Sequence, residues 1–438
     1  MMRTLCFSLV MAAAVAAVPS AADDNWPQWR GPGSQGVSNE TKLPTEWGPE
    51  KNIAWRVDLP PGHSSPILWG NRIFVTSSVE GEVVSGAAMV PHTVDGKPWV
   101  HPDSVSADRK QTLKVLALDA TTGKAVWERT AYEGTVYDAR HRRSSFAGPT
   151  ATTDGTLVYA YFGPEGLYAY DFSGKLVWKA VVPFKTLGLG TGTSPVLFDN
   201  LVIIQRDEDE GAQSVIAAYD KRTGRAVWTT TRPVQISWST PVLVQAGGRT
   251  ELVTNGNEFV IGYDPATGRE LWRSTGVESN AIHTPLVGKG LVIVTAGYPA
   301  KKVIAIRPGE LAAADKRVAW EYAKGTGYVV SNILYGDHLY LFTDNGVVTC
   351  LDAATGAVRY EGGRPPVPSR FMGSPVAFAG LIALTSEDGD TFILKAGPSY
   401  EVLRTNSIGE PVYSSLGLAN GRIYIRGEKH LFAVGTGS

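Results

Sequence analysis

The chain has 438 residues, with 41 Lys and Arg balanced by 42 Asp and Glu. That balance excludes a basic footprint for nucleic acid and a strongly charged face for a membrane surface. Glycine (48) and tryptophan (12) are abundant, which suits many tight turns and repeated aromatic packing positions. In chain order, residues 1–22 read as a signal peptide. Arg3 gives a positive start, Leu5 to Val18 is an uncharged apolar run too short to span a bilayer, and Ser20-Ala21-Ala22 supplies small residues for cleavage. Cys6 sits too early in the run to be an acylated lipoprotein cysteine. After cleavage only Cys350 remains, so no intrachain disulfide is expected. A soluble exported protein follows.

Residues 23–47 form an N-terminal extension, and a repeat occupies 48–438. Its clearest element is a turn with Thr/Ser-Gly followed by Trp. It occurs at Ala120–Trp127, Phe172–Trp178, Arg222–Trp228 and Ala266–Trp272, with weaker copies ending at Trp320, Tyr360 and Leu403. Copies recur roughly every 40–50 residues, the length of a four-stranded propeller blade. Each is preceded by a hairpin opening on a small residue and often Pro, at Ser65-Pro66 and near Pro149, Pro195, Pro241, Pro285, Asn332, Pro375 and Leu416. A third strand, such as Val115–Asp119 or Phe259–Asp264, leads into the turn, and the aromatic residue lies on the fourth. The last unit, from Tyr413 to Val434, lacks its fourth strand, and Asn52–Val57 matches that pattern ahead of the first unit. The expected fold is all-β: an eight-bladed β-propeller of four-stranded antiparallel blades, closed by an N-terminal strand in the last blade so that no sheet edge is left open there. Trp55, Trp127, Trp178, Trp228, Trp272, Trp320 and Tyr360 read as structural plates between neighbouring blades.

Strand order places the loops between successive blades on one face with the loops joining second and third strands. Residues just before each first strand should ring the central funnel. That column reads Ser65, Gly148, Ser194, Thr240, Thr284, Ser331, Ser374 and Ser415, small enough for a crowded centre. Two residues earlier stand His63, Phe146, Gly192, Trp238, Ile282, Val329, Met372 and Tyr413. Trp238, His283, Tyr328, Arg370, His63 and Tyr413 are the candidate ligand-binding residues, a set suited to a planar or anionic ligand. An insertion over Val79–Gln111 in the first blade reads as a lid. His92 and His101 within it are too loosely spaced for a metal to be assigned. The run Arg206–Glu210 reads as a solvated acidic loop open to a cation or basic partner. Arg140–Arg143 is a basic cluster for an anion or for those carboxylates. No Ser/His/Asp order and no carboxylate pair at fixed spacing marks a catalytic residue.

These turn and tryptophan motifs, over about Trp47–Gly437, resemble the pyrroloquinoline-quinone-repeat (quinoprotein-like) β-propeller family. That family includes quinoprotein alcohol and glucose dehydrogenases and the propeller subunit of the outer-membrane β-barrel assembly machine, a lipoprotein. Asn25–Pro32 is similar to the start of many exported members. The resemblance implies the fold firmly and the activity loosely, since one propeller hosts unrelated functions. Alcohol-oxidising members carry adjacent cysteines beside the quinone, and this chain has none. Their Ca²⁺ ligands and catalytic aspartate find no matching motif either. The expectation is therefore a periplasmic or secreted, non-enzymatic, monomeric propeller without a cofactor. It binds a protein, peptide or envelope polymer through its loop-bearing face, with no nucleic acid and no membrane span. A pyrroloquinoline-quinone oxidoreductase with Ca²⁺ and a carbohydrate-directed binder or enzyme are the alternatives.

Overall fold

Second and third strands of the repeat are continuous apolar runs, as strands covered on both faces must be. Leu291–Ala296 is buried along its whole length and Leu201–Arg206 along all but its last residue, whereas the fourth strand Ala226–Thr231 is mostly exposed. Packing such sheets face to face around an axis makes a propeller, with the fourth strands at the rim. The computed structural model describes residues 25–87, 92–94, 96–182, 189–208, 213–309 and 316–435. The signal-peptide segment and Cys6 lie outside the described residues.

Eight four-stranded antiparallel sheets form the ring. Within each, strands A to D run outward from the axis. Blade 1 comprises Ile67–Trp69, Arg72–Val83, Arg109–Asp119 and Ala125–Thr135. The A strands of blades 2 to 8 begin at Thr152, Val196, Val242, Leu286, Ile333, Val376 and Gly417. Blade 8 receives its D strand from the N-terminal side: Ile53–Asp58 pairs with His430–Val434, with Trp55 opposite Ala433 and Val57 opposite Leu431. The ring closes as expected.

Each D-strand tryptophan docks on the turn of the next blade. Trp55 lies over Gly123, Trp127 over Gly174, Trp178 over Gly224, Trp228 over Gly268 and Trp320 over Gly356. Gly224 shows why the turn needs glycine: its φ is +69°, and a Cβ there would sit 2.5 Å from the Trp178 ring. The indole N–H groups of Trp55, Trp127 and Trp178 donate to the turn carbonyls of Ala120, Phe172 and Lys221. Trp272 of blade 4 instead donates to Glu251 of its own sheet at 2.7 Å, and the Arg317 guanidinium of blade 5 lies 4.5 Å from its ring centre. Tyr360 packs on Tyr400 of blade 7.

At the axis, the small column forms a hydrogen-bonded ring. The backbone N–H before each A strand donates to the hydroxyl of the next blade: Ser65 to Thr150, Thr150 to Ser194 and Ser194 to Thr240. The chain continues from Thr284 to Ser331, Ser331 to Ser374, Ser374 to Ser415, and Ser415 back to Ser65. Between blades 4 and 5 the link is missing, and the Thr284 hydroxyl has no partner. The blade 2 member is Thr150, not Gly148, so Gly148 takes the position above it that the repeat alignment gave to Phe146.

The N-terminal extension plugs this channel from the side of the A–B turns. Trp26 exchanges backbone hydrogen bonds with Leu68 of blade 1, Pro27 accepts from Thr153 of blade 2, and Gln35 bonds to Pro285 and Val287 of blade 5. Val37 forms a parallel bridge with Ala377 of blade 7. The blade 1 insertion continues the B–C hairpin as far as the pairing of Val83 with Arg109. It then folds into a small hairpin, His92–Val94 with Lys97–Trp99, and returns through Ser104–Val105 to pair with Arg140–His141 of the blade 1–2 loop. No helix among the described residues is long and apolar enough to cross a membrane.

Candidate functional site

The plug turns the axial channel into a blind pocket that opens on the loop-bearing face. Its cavity of about 150 Å³ is lined by Trp29 of the plug, by the hydroxyl ring, and by Trp238, Ile282, Val329 and Met372 one layer above. Trp238 donates its indole N–H to Gly190 O at 2.9 Å, which holds the ring beside Gly192, where a Cβ would come within 3.0 Å of the Trp238 Cβ. His63 and Tyr413 close the blade 1 and blade 8 side, with ring centres 5.0 Å apart. Burial, with the Arg426 and Arg140 cations in support, pushes His63 down to about 4 and keeps it neutral.

His63 and Tyr413 also line a larger pit of about 640 Å³ on the same face. Its walls come from blade 1 and its insertion, the blade 1–2 loop, and blades 7 and 8. Three arginines, Arg140, Arg142 and Arg143, face three glutamates, Glu80, Glu387 and Glu428. Arg140 pairs with Glu80 at 2.6 Å and is further fixed by carbonyls of its own loop. Arg142 pairs with Asp103 at 2.7 Å. Arg143 reaches across to Glu387 of blade 7 at 2.5 Å, tying two loops that flank blade 8. Ser78 and, from the insertion, Val79 and Glu80 supply one wall of the pit; residues 88–91 and 95 of the insertion lie outside the described residues.

Of the six residues expected to bind ligand, the structure brings together Trp238, His63 and Tyr413. His283 is fully buried inside blade 5, bonded through Nδ1 to the Thr295 hydroxyl, with burial pushing it down to about 4. Tyr328 packs on Tyr298 and accepts from Asn280, and Arg370 is exposed; neither lines the pocket or the pit. The reading of the acidic loop as solvated is corrected. Asp207 is buried against Arg232 at 2.9 Å, with the Ser237 hydroxyl and the Gln205 amide on its other oxygen, and Glu208 is buried beside Arg206. Asp209 and Glu210 lie outside the described residues. Among the described residues, the basic cluster pairs with Glu80, Asp103 and Glu387. His101 is turned to its own chain, accepting from Asp103 N, and the His92 side chain is outside the described residues. Sequence reasoning missed Trp29 and Glu387. Trp29 carries no repeat signal, and Glu387 sits in a short loop whose partner is 244 residues away.

The axial pocket does not suit a quinone with Ca²⁺. The axial pocket is smaller than the roughly 300–1,000 Å³ of small-molecule sites and has no carboxylate in its lining. In the pit, Glu80 and Glu387 are paired with arginines, and Glu428 is the third carboxylate of the lining. No group of three His, Cys, Asp or Glu among the described residues is placed to hold a metal.

A family model described as outer membrane protein assembly factor BamB matches three overlapping stretches, residues 48–205, 109–235 and 212–370. The protein of that name from Yersinia pestis is 23% identical over 309 residues, 66% of this chain and 71% of its own length. The crystal structure of BamB from Moraxella catarrhalis superposes with a TM-score of 0.55 at 15% identity, covering 82% of this chain and 97% of its own. Quinohemoprotein alcohol dehydrogenase from Comamonas testosteroni superposes with a TM-score of 0.63 at 14% identity, covering 96% and 82%. At such identities the structural likeness speaks to the fold alone.

Proposed function

The chain belongs to the family described as outer membrane protein assembly factor BamB, and from that membership we propose that it is an exported, non-enzymatic propeller that binds a protein or peptide of the cell envelope through its loop-bearing face. The observation that carries this reading is the pit between blades 1, 2, 7 and 8, with its charged walls and the His63–Tyr413 pair at the neck of the axial pocket. A small-molecule site is mostly apolar with a few convergent polar groups. Walls of arginine and glutamate suit polar side chains and the main chain of a polypeptide, with Tyr and Arg as the residues that most often anchor an interface. Periplasmic or secreted location and action as a monomer belong to the same proposal.

The test is fluorescence anisotropy with labelled peptides tiling an outer-membrane β-barrel protein. Some peptides should bind, and Arg143→Ala with Tyr413→Ala should weaken them tenfold or more, about 1.4 kcal/mol, at an unchanged melting temperature. Alcohol-dependent dye reduction after incubation with pyrroloquinoline quinone and Ca²⁺, together with failure of every peptide to bind, would overturn the reading.

A further inference from the structure

Three arginines are among the largest fully buried side chains, Arg30, Arg232 and Arg426. Two are held by several partners. Arg232 has Asp207 at 2.9 Å, and Arg426 donates to Ser64 O and Oγ, Thr76 O and Pro60 O. Arg30, on the plug, is different. Its Nη2 donates to Asn332 O at 2.7 Å and to Gln35 O at 3.2 Å, while Nε and Nη1 have no partner. No carboxylate among the described residues is ion-paired with it. Its surroundings are polar and neutral. Asn332 donates to the Thr295 hydroxyl, which also meets the neutral His283. The unpartnered Thr284 hydroxyl precedes Pro285, where Gln35 docks. At Gly36, where φ is +77°, a Cβ would lie about 3 Å from Arg30 Nε and Nη2, so the plug backbone packs closely against the guanidinium and needs glycine there. Desolvation alone lowers this guanidinium to about 9, and a buried charge without a partner is strongly unfavourable.

We propose that a small inorganic anion of halide size sits beside Nε and Nη1 of Arg30, as the counter-charge that fixes the plug against blades 5, 6 and 7. A monovalent anion would accept from both unpartnered N–H groups and supply a counter-charge as well. Binding to the folded state alone links plug stability to anion concentration.

The experiment compares the full chain with Arg30→Met in chloride and in isethionate at equal ionic strength. Wild type should melt at rising temperature as chloride replaces isethionate, and hydrogen exchange over residues 26–38 should slow in parallel. Arg30→Met should respond to neither. Crystals grown in bromide provide a test that does not depend on the variant folding: an anomalous peak in contact with Arg30 is expected. A bromide-grown crystal with no anomalous peak at Arg30, or a chloride response equal in wild type and Arg30→Met, would overturn the proposal. Both readouts are independent of peptide binding on the opposite face.

Discussion

The indole of Trp228 lies over Gly268 of the next blade, where φ is +72° and a Cβ would come within 2.4 Å of the ring. Trp228→Ala removes the plate and leaves a gap that two rigid sheets cannot close, at a cost of roughly 3–5 kcal/mol. Gly268→Ala should also destabilise, by clash and by backbone strain. Urea midpoints measure both, and midpoints near wild type would show that the contact is not made. The turn-and-tryptophan motif was legible because both partners lie in one repeat unit. Side-chain direction was not. Ile282 and Thr284 point to the axis, and His283 between them points into blade 5, as alternation along an extended chain requires. Titration adds a second residue-level prediction. Glu165 is pushed up to about 7 by burial, although it accepts from Tyr137 N at 2.8 Å. Its folded pKa exceeds the unfolded 4.5, so the folded state binds the proton more tightly. Stability from this site is complete below pH 4.5 and falls by about 3 kcal/mol as pH rises to 7 and beyond. Glu165→Gln should match wild type near pH 4.5 and melt higher at pH 8. His283 acts in the opposite sense, costing stability as pH falls from 6.5 toward 4. A Glu165→Gln difference independent of pH would mean that burial does not shift Glu165 from its unfolded value.

Among the elements, the inner ring and the closing strand do the most. Ser374 N donates to Ser415 Oγ at 2.9 Å in a buried setting. Ser415→Ala strands that N–H and should cost about 1–3 kcal/mol. Thr284→Val, at the junction where the link is missing, should cost less. Equal losses in thermal melts would remove the ring as a source of stability. The hydroxyl column was readable except in blade 2, where Pro149 precedes Thr150 while blades 1, 3, 4, 5 and 7 place the small residue before Pro; alignment on the proline displaced it by two. The closing strand was readable by counting, since one unit lacked a D strand and one D strand preceded the first unit. The plug was not, because its partners on blades 1, 2, 5 and 7 are inner strand edges that leave no pattern in residues 25–38. Deleting residues 23–57 removes plug and closing strand together and exposes the edge of His430–Val434. The truncated chain should melt far below wild type, and an unchanged midpoint would contradict closure.

For the whole molecule, the propeller is rigid at its centre and differentiated on one face. Repetition makes the blades interchangeable, so the fold is written many times over in the sequence. The pit arises from what breaks the repeat: the blade 1 insertion, the long blade 1–2 loop with Arg140 to Arg143, and Glu387. Its composition could be guessed from the basic cluster, but its shape depends on ion pairs between loops distant in sequence, such as Arg143 with Glu387. The central claim is that a polypeptide partner binds at this pit. Hydrogen–deuterium exchange of the full chain, with and without the tightest-binding peptide, tests it most directly. Slowed exchange at residues 61–63, 78–80, 140–145, 387 and 413, with the rim strands unchanged, is the result expected. Slowed exchange confined to outer strands such as Ala226–Thr231 or Val402–Ser407, with the pit unaffected, would contradict it.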